Sequence, residues 1–169
     1  GGAVIDSSPM YGRAETVTGE LLAAAGSHGK AFLATKVWTR GRAEGIRQME
    51  ESLRRLQVER LDLMQIHNLL DWQTHLATLR DWKAAGRVRY LGVTHYTAGA
   101  YDALEAVMRA EALDFVQINY SADEREAERR ILPLAAERGM AVIINRPFGG
   151  GGLLRRLRAR PLPPWAAEI

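Results

Sequence analysis

Leu61-Asp62-Leu63-Met64-Gln65-Ile66-His67 is a short apolar, strand-forming run that ends on an imidazole. The segments on both sides have a different period. Before it, residues 43–56 place Ile46, Met49, Leu53 and Leu56 three or four apart; after it, residues 74–85 do the same with Leu76, Leu79 and Trp82. Spacings of three and four put each set on one side of a helix, whereas a run of apolar residues this short between turn signals fits a buried strand. The unit is therefore helix, strand, helix, and it recurs. Further strand-like runs are Ala3-Val4-Ile5, Phe32-Leu33-Ala34-Thr35, Tyr90-Leu91-Gly92-Val93, Phe115-Val116-Gln117-Ile118 and Ala141-Val142-Ile143-Ile144, so the six starts are 29, 29, 29, 25 and 26 residues apart. A strand, a turn, a helix and a second turn need about that length.

Helices are also predicted over 15–25 (Val17, Leu21 and Leu22 inward), 100–113 (Leu104, Val107, Met108) and 125–138 (Ile131, Leu134, Ala135). Gly26, Gly29, Gly86 and Gly139 stand where a left-handed residue ends a helix. Alternating strands and helices imply a parallel sheet with right-handed crossovers, as an open doubly wound sheet or a closed barrel. The dinucleotide fingerprint G-x-G-x-x-G follows none of the strands, and the even unit length favours the α/β parallel (β/α)8 TIM barrel. Six of the eight β/α units are visible. The expectation is one partial barrel domain over 1–169, its first strand and helix preceding Gly1 and its last strand following Ile169.

In a parallel barrel the active site lies at the carboxyl ends of the strands. The runs exit on Asp6, Lys36, His67, Thr94-His95, Asn119 and Asn145-Arg146. Singly, each has an ordinary explanation: Asp6 as a turn cap, Lys36 as a solvated lysine, His67 as a core histidine bonded to carbonyls, Tyr11 as a loop aromatic. Together, an acid, an ammonium and an imidazole on three consecutive strand ends point to catalysis.

Composition narrows the chemistry further. With no cysteine among 169 residues, disulfides, thiolate metal sites and a cysteine nucleophile are excluded, and a reducing, cytoplasmic setting is the expectation. No cluster has metal-ligand spacing. Lys plus Arg exceed Asp plus Glu by 23 − 20 = 3, too few to mark a nucleic-acid surface, and no apolar run is long enough to span a membrane. Arg155, Arg156, Arg158 and Arg160 read as a solvated loop.

The residues quoted above resemble the aldo-keto reductase family. Val4-Ile5-Asp6-Ser7-Ser8-Pro9-Met10-Tyr11-Gly12, with Glu15 and Gly19 beyond, is similar to its second-strand signature. Leu33-Ala34-Thr35-Lys36-Val37 resembles the third-strand motif, Ser52-Leu53-Arg54-Arg55-Leu56 with the run to His67 the next helix and fourth strand, Gly92-Val93-Thr94-His95-Tyr96 the fifth strand and Gln117-Ile118-Asn119-Tyr120-Ser121 the sixth.

The resemblance implies a nicotinamide-dependent reductase of aldehydes or ketones, with a small carbonyl compound as substrate. Tyr11 would be the general acid, Lys36 would favour its ionisation, Asp6 would hold Lys36, and His67 would orient the substrate oxygen. Thr94, His95 and Gln117 match positions that hold the nicotinamide carboxamide, His95 standing where Asn is usual. Asn145 occupies the position of an aromatic residue that stacks on the nicotinamide; it has no such face, and Arg146 would take over part of the role through its planar guanidinium. Arg146, Phe148 and Gly150 fall in the pyrophosphate loop, where the glycines of 149–152 would let backbone N–H groups approach phosphate; a flexible linker is the equal alternative. NADPH is the family expectation and NADH is not excluded. Trp38 and Trp72 are expected as substrate-pocket walls, and Trp82 as a helix-packing residue. The competing reading is a non-catalytic regulatory or scaffold protein that binds cofactor, motivated by His95 and Asn145.

Overall fold

The computed structural model describes residues 3–158, 161 and 163–168. Six strands alternate with helices: β1 Ala3–Asp6, α1 Ala14–Ala24, β2 Ala31–Val37, α2 Arg42–Leu56, β3 Leu61–His67, α3 Trp72–Ala84, β4 Val88–His95, α4 Tyr101–Ala110, β5 Phe115–Asn119, α5 Ile131–Glu137, β6 Ala141–Asn145 and α6 Gly152–Arg158. All neighbouring strands are parallel and follow chain order from β1 to β6. β1 and β6 are the two edges of this sheet.

One hydrogen bond establishes the curvature. β1 and β5 stand four strands apart, which in a flat sheet is about 19 Å. The Gln117 side-chain amide on β5 nevertheless donates to Asp6 on β1 at 2.9 Å. Only a sheet rolled into a barrel wall brings them together. Alternation then sorts the side chains. Leu33, Val37, Met64, Ile66, Leu91, Val93, Val116 and Ile118 face the helices and form the hydrophobic core with Met49, Leu53, Leu79, Leu104 and Leu134. Phe32, Tyr90 and Phe115, on the other face, meet inside the barrel with ring centroids 5.5–6.2 Å apart. They cluster at the amino-terminal end of the strands, where they line a second open hollow. Among the described residues no helix is long and apolar enough to cross a membrane.

Three local expectations need correction. On α1 the buried residues are Glu15, Gly19 and Leu22, while Val17 and Leu21 are exposed. The helix meets α2 through its small residue: a Cβ on Gly19 would run into the carbonyl oxygen of Arg55 and come within 2.9 Å of the Leu56 carbonyl carbon. Gly19→Ala is accordingly expected to destabilise the protein by about 1–3 kcal/mol, because two helix backbones must separate; urea unfolding of both proteins measures it. The single helix expected over 125–138 is instead a 3-10 turn, Glu126–Arg129, and then α5. Pro133 is the cause, since in the interior of one continuous helix its ring would clash with the carbonyl of Arg129 and its missing N–H would break the ladder. It is accommodated in the first turn of a helix that starts afresh at Ile131. Finally, Gly26, Gly86 and Gly139 are left-handed as expected, whereas Gly29 lies in the 3-10 turn His28–Lys30 without that conformation.

Candidate active site

Four side chains from the strand ends and the first loop line one open cavity of about 550 Å³: Asp6, Tyr11, Lys36 and His67. Asp6 ends β1, Lys36 is the penultimate residue of β2 and His67 ends β3. Tyr11 sits in the turn between β1 and α1. That turn is fixed by the Tyr11 N–H donating to the Ser8 carbonyl at 3.0 Å and the Ala14 N–H donating to the Tyr11 carbonyl at 3.2 Å. Gly12 supplies the left-handed step that follows.

Lys36 is almost wholly enclosed. Its ammonium donates to both Asp6 oxygens at 2.9 and 2.8 Å and to the Ser7 carbonyl at 2.7 Å, which uses all three of its donors. Burial lowers its pKa, against the opposing pull of Asp6 and then Glu15. Asp6 also accepts from Gln65 at 3.3 Å and Gln117 at 2.9 Å. Gln65 donates to the Gln117 carbonyl oxygen at 3.2 Å as well. The floor of the site is thus a pair of amides and an ion pair locked together.

This arrangement changes the electrostatics expected for Tyr11. Its phenol is raised above the ordinary value, by burial first and by the Asp6 carboxylate second, and the group that lowers it is Arg146. With the Lys36 charge compensated by Asp6, the ammonium 5.3 Å from the Tyr11 ring centroid does not bring the phenol down. Tyr11 is therefore a protonated donor at neutral pH.

His67 packs edge-on to Tyr11 and tilted against Trp38, with centroids 6.5 and 6.1 Å apart. Burial, then the Lys36 ammonium, push its pKa down to about 4, with Asp6 opposing and His95 adding to the fall. The ring is neutral at neutral pH. The Ser8 hydroxyl lies 3.5 Å from Nδ1 and accepts from the Met10 N–H at 3.5 Å. The hydroxyl can donate to Nδ1 or accept from it; when it donates, Nε2 is the nitrogen that carries the proton.

The depressed His67 pKa has a thermodynamic consequence. Between about pH 6.5 and 4 the unfolded chain holds the proton and the folded chain does not, so stability falls as pH falls through that window. His67→Gln removes this titration. Chemical denaturation at pH 7 and pH 5 should show a smaller acid-side loss in the variant than in the wild type.

The other expected site residues divide. Thr94, Gln117, Asn145, Arg146 and Trp38 line the cavity. Gln117 does so with its amide already engaged by Asp6 and Gln65. His95 and Trp72 are not on the lining. His95 Nδ1 accepts from the Tyr96 N–H at 3.1 Å, and its ring stacks on Tyr96. Trp72 opens α3 and packs against the core. Phe148 is exposed, and Gly150 lies in a 3-10 turn in which Gly149, Gly150 and Gly151 are all left-handed. Asn119 is engaged by the Tyr101 hydroxyl at 3.2 Å. Arg155, Arg156 and Arg158 are helical, on α6, with Arg156 paired to Asp123; Arg160 lies outside the described residues.

Met10, Asn68 and Tyr96 also line the cavity and were not expected there. Tyr96 had a signal, since it closes the Gly92–Tyr96 motif. Asn68 follows His67 with a left-handed backbone, as does Leu69, and no periodicity marks such a strand exit. Glu15 is a further unassigned group: it is 1% exposed and accepts from the Thr35 hydroxyl at 2.6 Å. It belongs to the layer behind Lys36.

The donor set suits a nicotinamide. Thr94 and Asn145 line the same cavity as Tyr11, and the Asn145 Oδ1 is a buried acceptor without a hydrogen-bond partner among the described residues, a group that a carboxamide N–H could satisfy. Among the described residues no group of three or more His, Asp or Glu side chains could hold a metal ion.

Comparison with known proteins bears on the family and the fold. A family model described as "Aldo/keto reductase family" matches residues 1–165. Aldo-keto reductase YhdN of Bacillus subtilis (strain 168) is 28% identical over 156 residues, covering 83% of this chain and 46% of that protein. Methylglyoxal reductase YeaE of Escherichia coli (strain K12) is 31% identical over 158 residues, covering 90% of this chain and 55% of that protein. The structure of an aldo-keto reductase from Klebsiella pneumoniae in complex with NADPH superposes with a TM-score of 0.78 at 28% identity, covering 94% of this chain and 58% of that one. The chain spans about half the length of the curated relatives it matches, 46% and 55% of the two above. On the family model and the barrel wall together, the chain belongs to the aldo/keto reductase family.

Proposed function

We propose that this chain carries the catalytic face of an NAD(P)H-dependent reductase that converts an aldehyde or ketone to an alcohol. The observation that carries the reading is the convergence of Tyr11, His67 and the Lys36–Asp6 pair on one cavity. A bound nicotinamide, NADPH by likeness to the Klebsiella pneumoniae complex, would be the source of hydride for the carbonyl carbon. Thr94 and Asn145 would hold its carboxamide. Gln117 supports the floor, and the glycine turn Gly149–Gly151 would lie along its phosphates.

The chain's own residues handle the oxygen. Neutral His67 donates through Nε2 and fixes the direction of the carbonyl. The Tyr11 hydroxyl, kept protonated by its surroundings, gives its proton to the oxygen as negative charge develops there. Lys36 and Asp6 present a buried, mutually neutralised pair beneath the phenol, which holds the floor rigid without taking the proton. Consumption of NADPH with methylglyoxal, followed by absorbance, tests the reading. Cofactor binding without turnover of any carbonyl compound would favour the binding-only alternative suggested by Asn145 and His95.

A further inference from the structure

The charges around the cavity do not cancel. Lys36 and Asp6 neutralise each other, and all three ammonium donors are spent. His67 and Tyr11 are uncharged at neutral pH. The remainder is one cation, the Arg146 guanidinium, which lines the same cavity and, among the described residues, forms no ion pair with a carboxylate.

Arg146 is also held in place. It follows β6 with φ 50°, a left-handed backbone conformation uncommon for a non-glycine residue. Its guanidinium lies over the Tyr96 ring, 4.4 Å from the centroid. Stacking occupies the flat face of a guanidinium and leaves the N–H groups, which lie in its plane, free to donate. An uncompensated, oriented fork of donors beside a proton donor and a neutral imidazole is suited to a carboxylate.

We infer that Arg146, posed on Tyr96, is a specificity-determining residue that selects carbonyl substrates bearing a carboxylate. This inference rests on the reductase reading for the carbonyl and adds the charge of the substrate to it. The carboxylate meets the Arg146 fork, while the carbonyl oxygen is left to Tyr11 and His67. The influence of Arg146 on the Tyr11 phenol is consistent with their sharing one small volume.

Matched substrates isolate the charge: pyruvate against methyl pyruvate, and 4-carboxybenzaldehyde against its methyl ester. The expected result is a kcat/KM at least about tenfold higher for the acid in one or both pairs, as a charge-assisted fork warrants. In Arg146→Met that ratio should fall to near one, and Arg146→Lys should restore part of it. Using a ratio removes any general effect of the substitution on cofactor binding or turnover. Acid and ester reduced equally well by the wild type, or a ratio unchanged in Arg146→Met while NADPH affinity falls, would overturn the inference and assign Arg146 to the cofactor. Calorimetric titration with oxamate and benzoate, without cofactor, gives a second readout. At least one anion should bind, about tenfold more weakly to Arg146→Met; no binding, or equal affinity, counts against the site. If no carbonyl compound is reduced, the reductase reading fails, and the titration alone decides whether Arg146 recognises carboxylates.

Discussion

Tyr11→Phe should lower kcat for carbonyl reduction by about 10²–10⁴-fold while leaving the affinity for NADPH within a few-fold of wild type. The substitution removes one oxygen and keeps the ring that packs edge-on against His67. Among the described residues no hydrogen bond depends on that hydroxyl, so the loss is chemical. In the protein Tyr11 is half exposed at the cavity, with its phenol raised by burial and by Asp6. It therefore holds its proton until the oxygen of the substrate gains charge. His67 cannot substitute as the acid, because its pKa of about 4 leaves only a neutral ring, which orients an oxygen but is a far weaker proton donor. Rapid mixing with saturating NADPH would place the effect on the chemical step, and fluorescence titration would report cofactor binding. Turnover by Tyr11→Phe at the wild-type rate would remove the general-acid role and with it the proposed mechanism.

The parts of this architecture that could be read in advance are those written as a period. Short runs such as Leu61–His67 start within two residues of where the strands begin, and most of their polar exits line the cavity, His95 and Asn119 being turned to other partners. Parallel order also followed, because a helix lies between every pair of strands. What escaped has no period. Glu15 and Gly19 define the inner face of α1 through a buried carboxylate and a close backbone approach, neither of which hydrophobic spacing reports. Pro133 divided a helix that looked continuous by its apolar residues alone. The strongest miss is electrostatic. Lys36 and Tyr11 were both recognisable, yet the effect of one on the other depends on Asp6 saturating the ammonium, a matter of ångströms across three strands. Arg146 illustrates the same limit, since its pose on Tyr96 joins the ends of β4 and β6, 50 residues apart in the chain.

Lys36→Met should be the most destabilising single change at the site, by about 2–4 kcal/mol. Breaking a buried ion pair costs more than the pair contributes, because the remaining charge is stranded; about 3–5 kcal/mol is usual when both partners are buried. The value here is set lower because the Asp6 side chain keeps 23% exposure while that of Lys36 keeps 2%. Methionine fills a similar volume, so the loss reflects charge and hydrogen bonds, including the one to the Ser7 carbonyl. The double variant Asp6→Asn with Lys36→Met removes both charges and should recover much of the stability. That coupling separates a stranded carboxylate from a simple packing defect, in which the two losses would add. The two proteins should also differ in pH dependence. The Lys36 pKa is lowered by folding, so just below the ordinary lysine value of 10.5 the unfolded chain binds more protons and wild-type stability rises with pH. Lys36→Met lacks that rise. Urea unfolding of the wild type, both single variants and the double variant, at pH 8 and pH 10, measures all of these; strictly additive losses would show that Lys36 and Asp6 are not an energetically coupled pair.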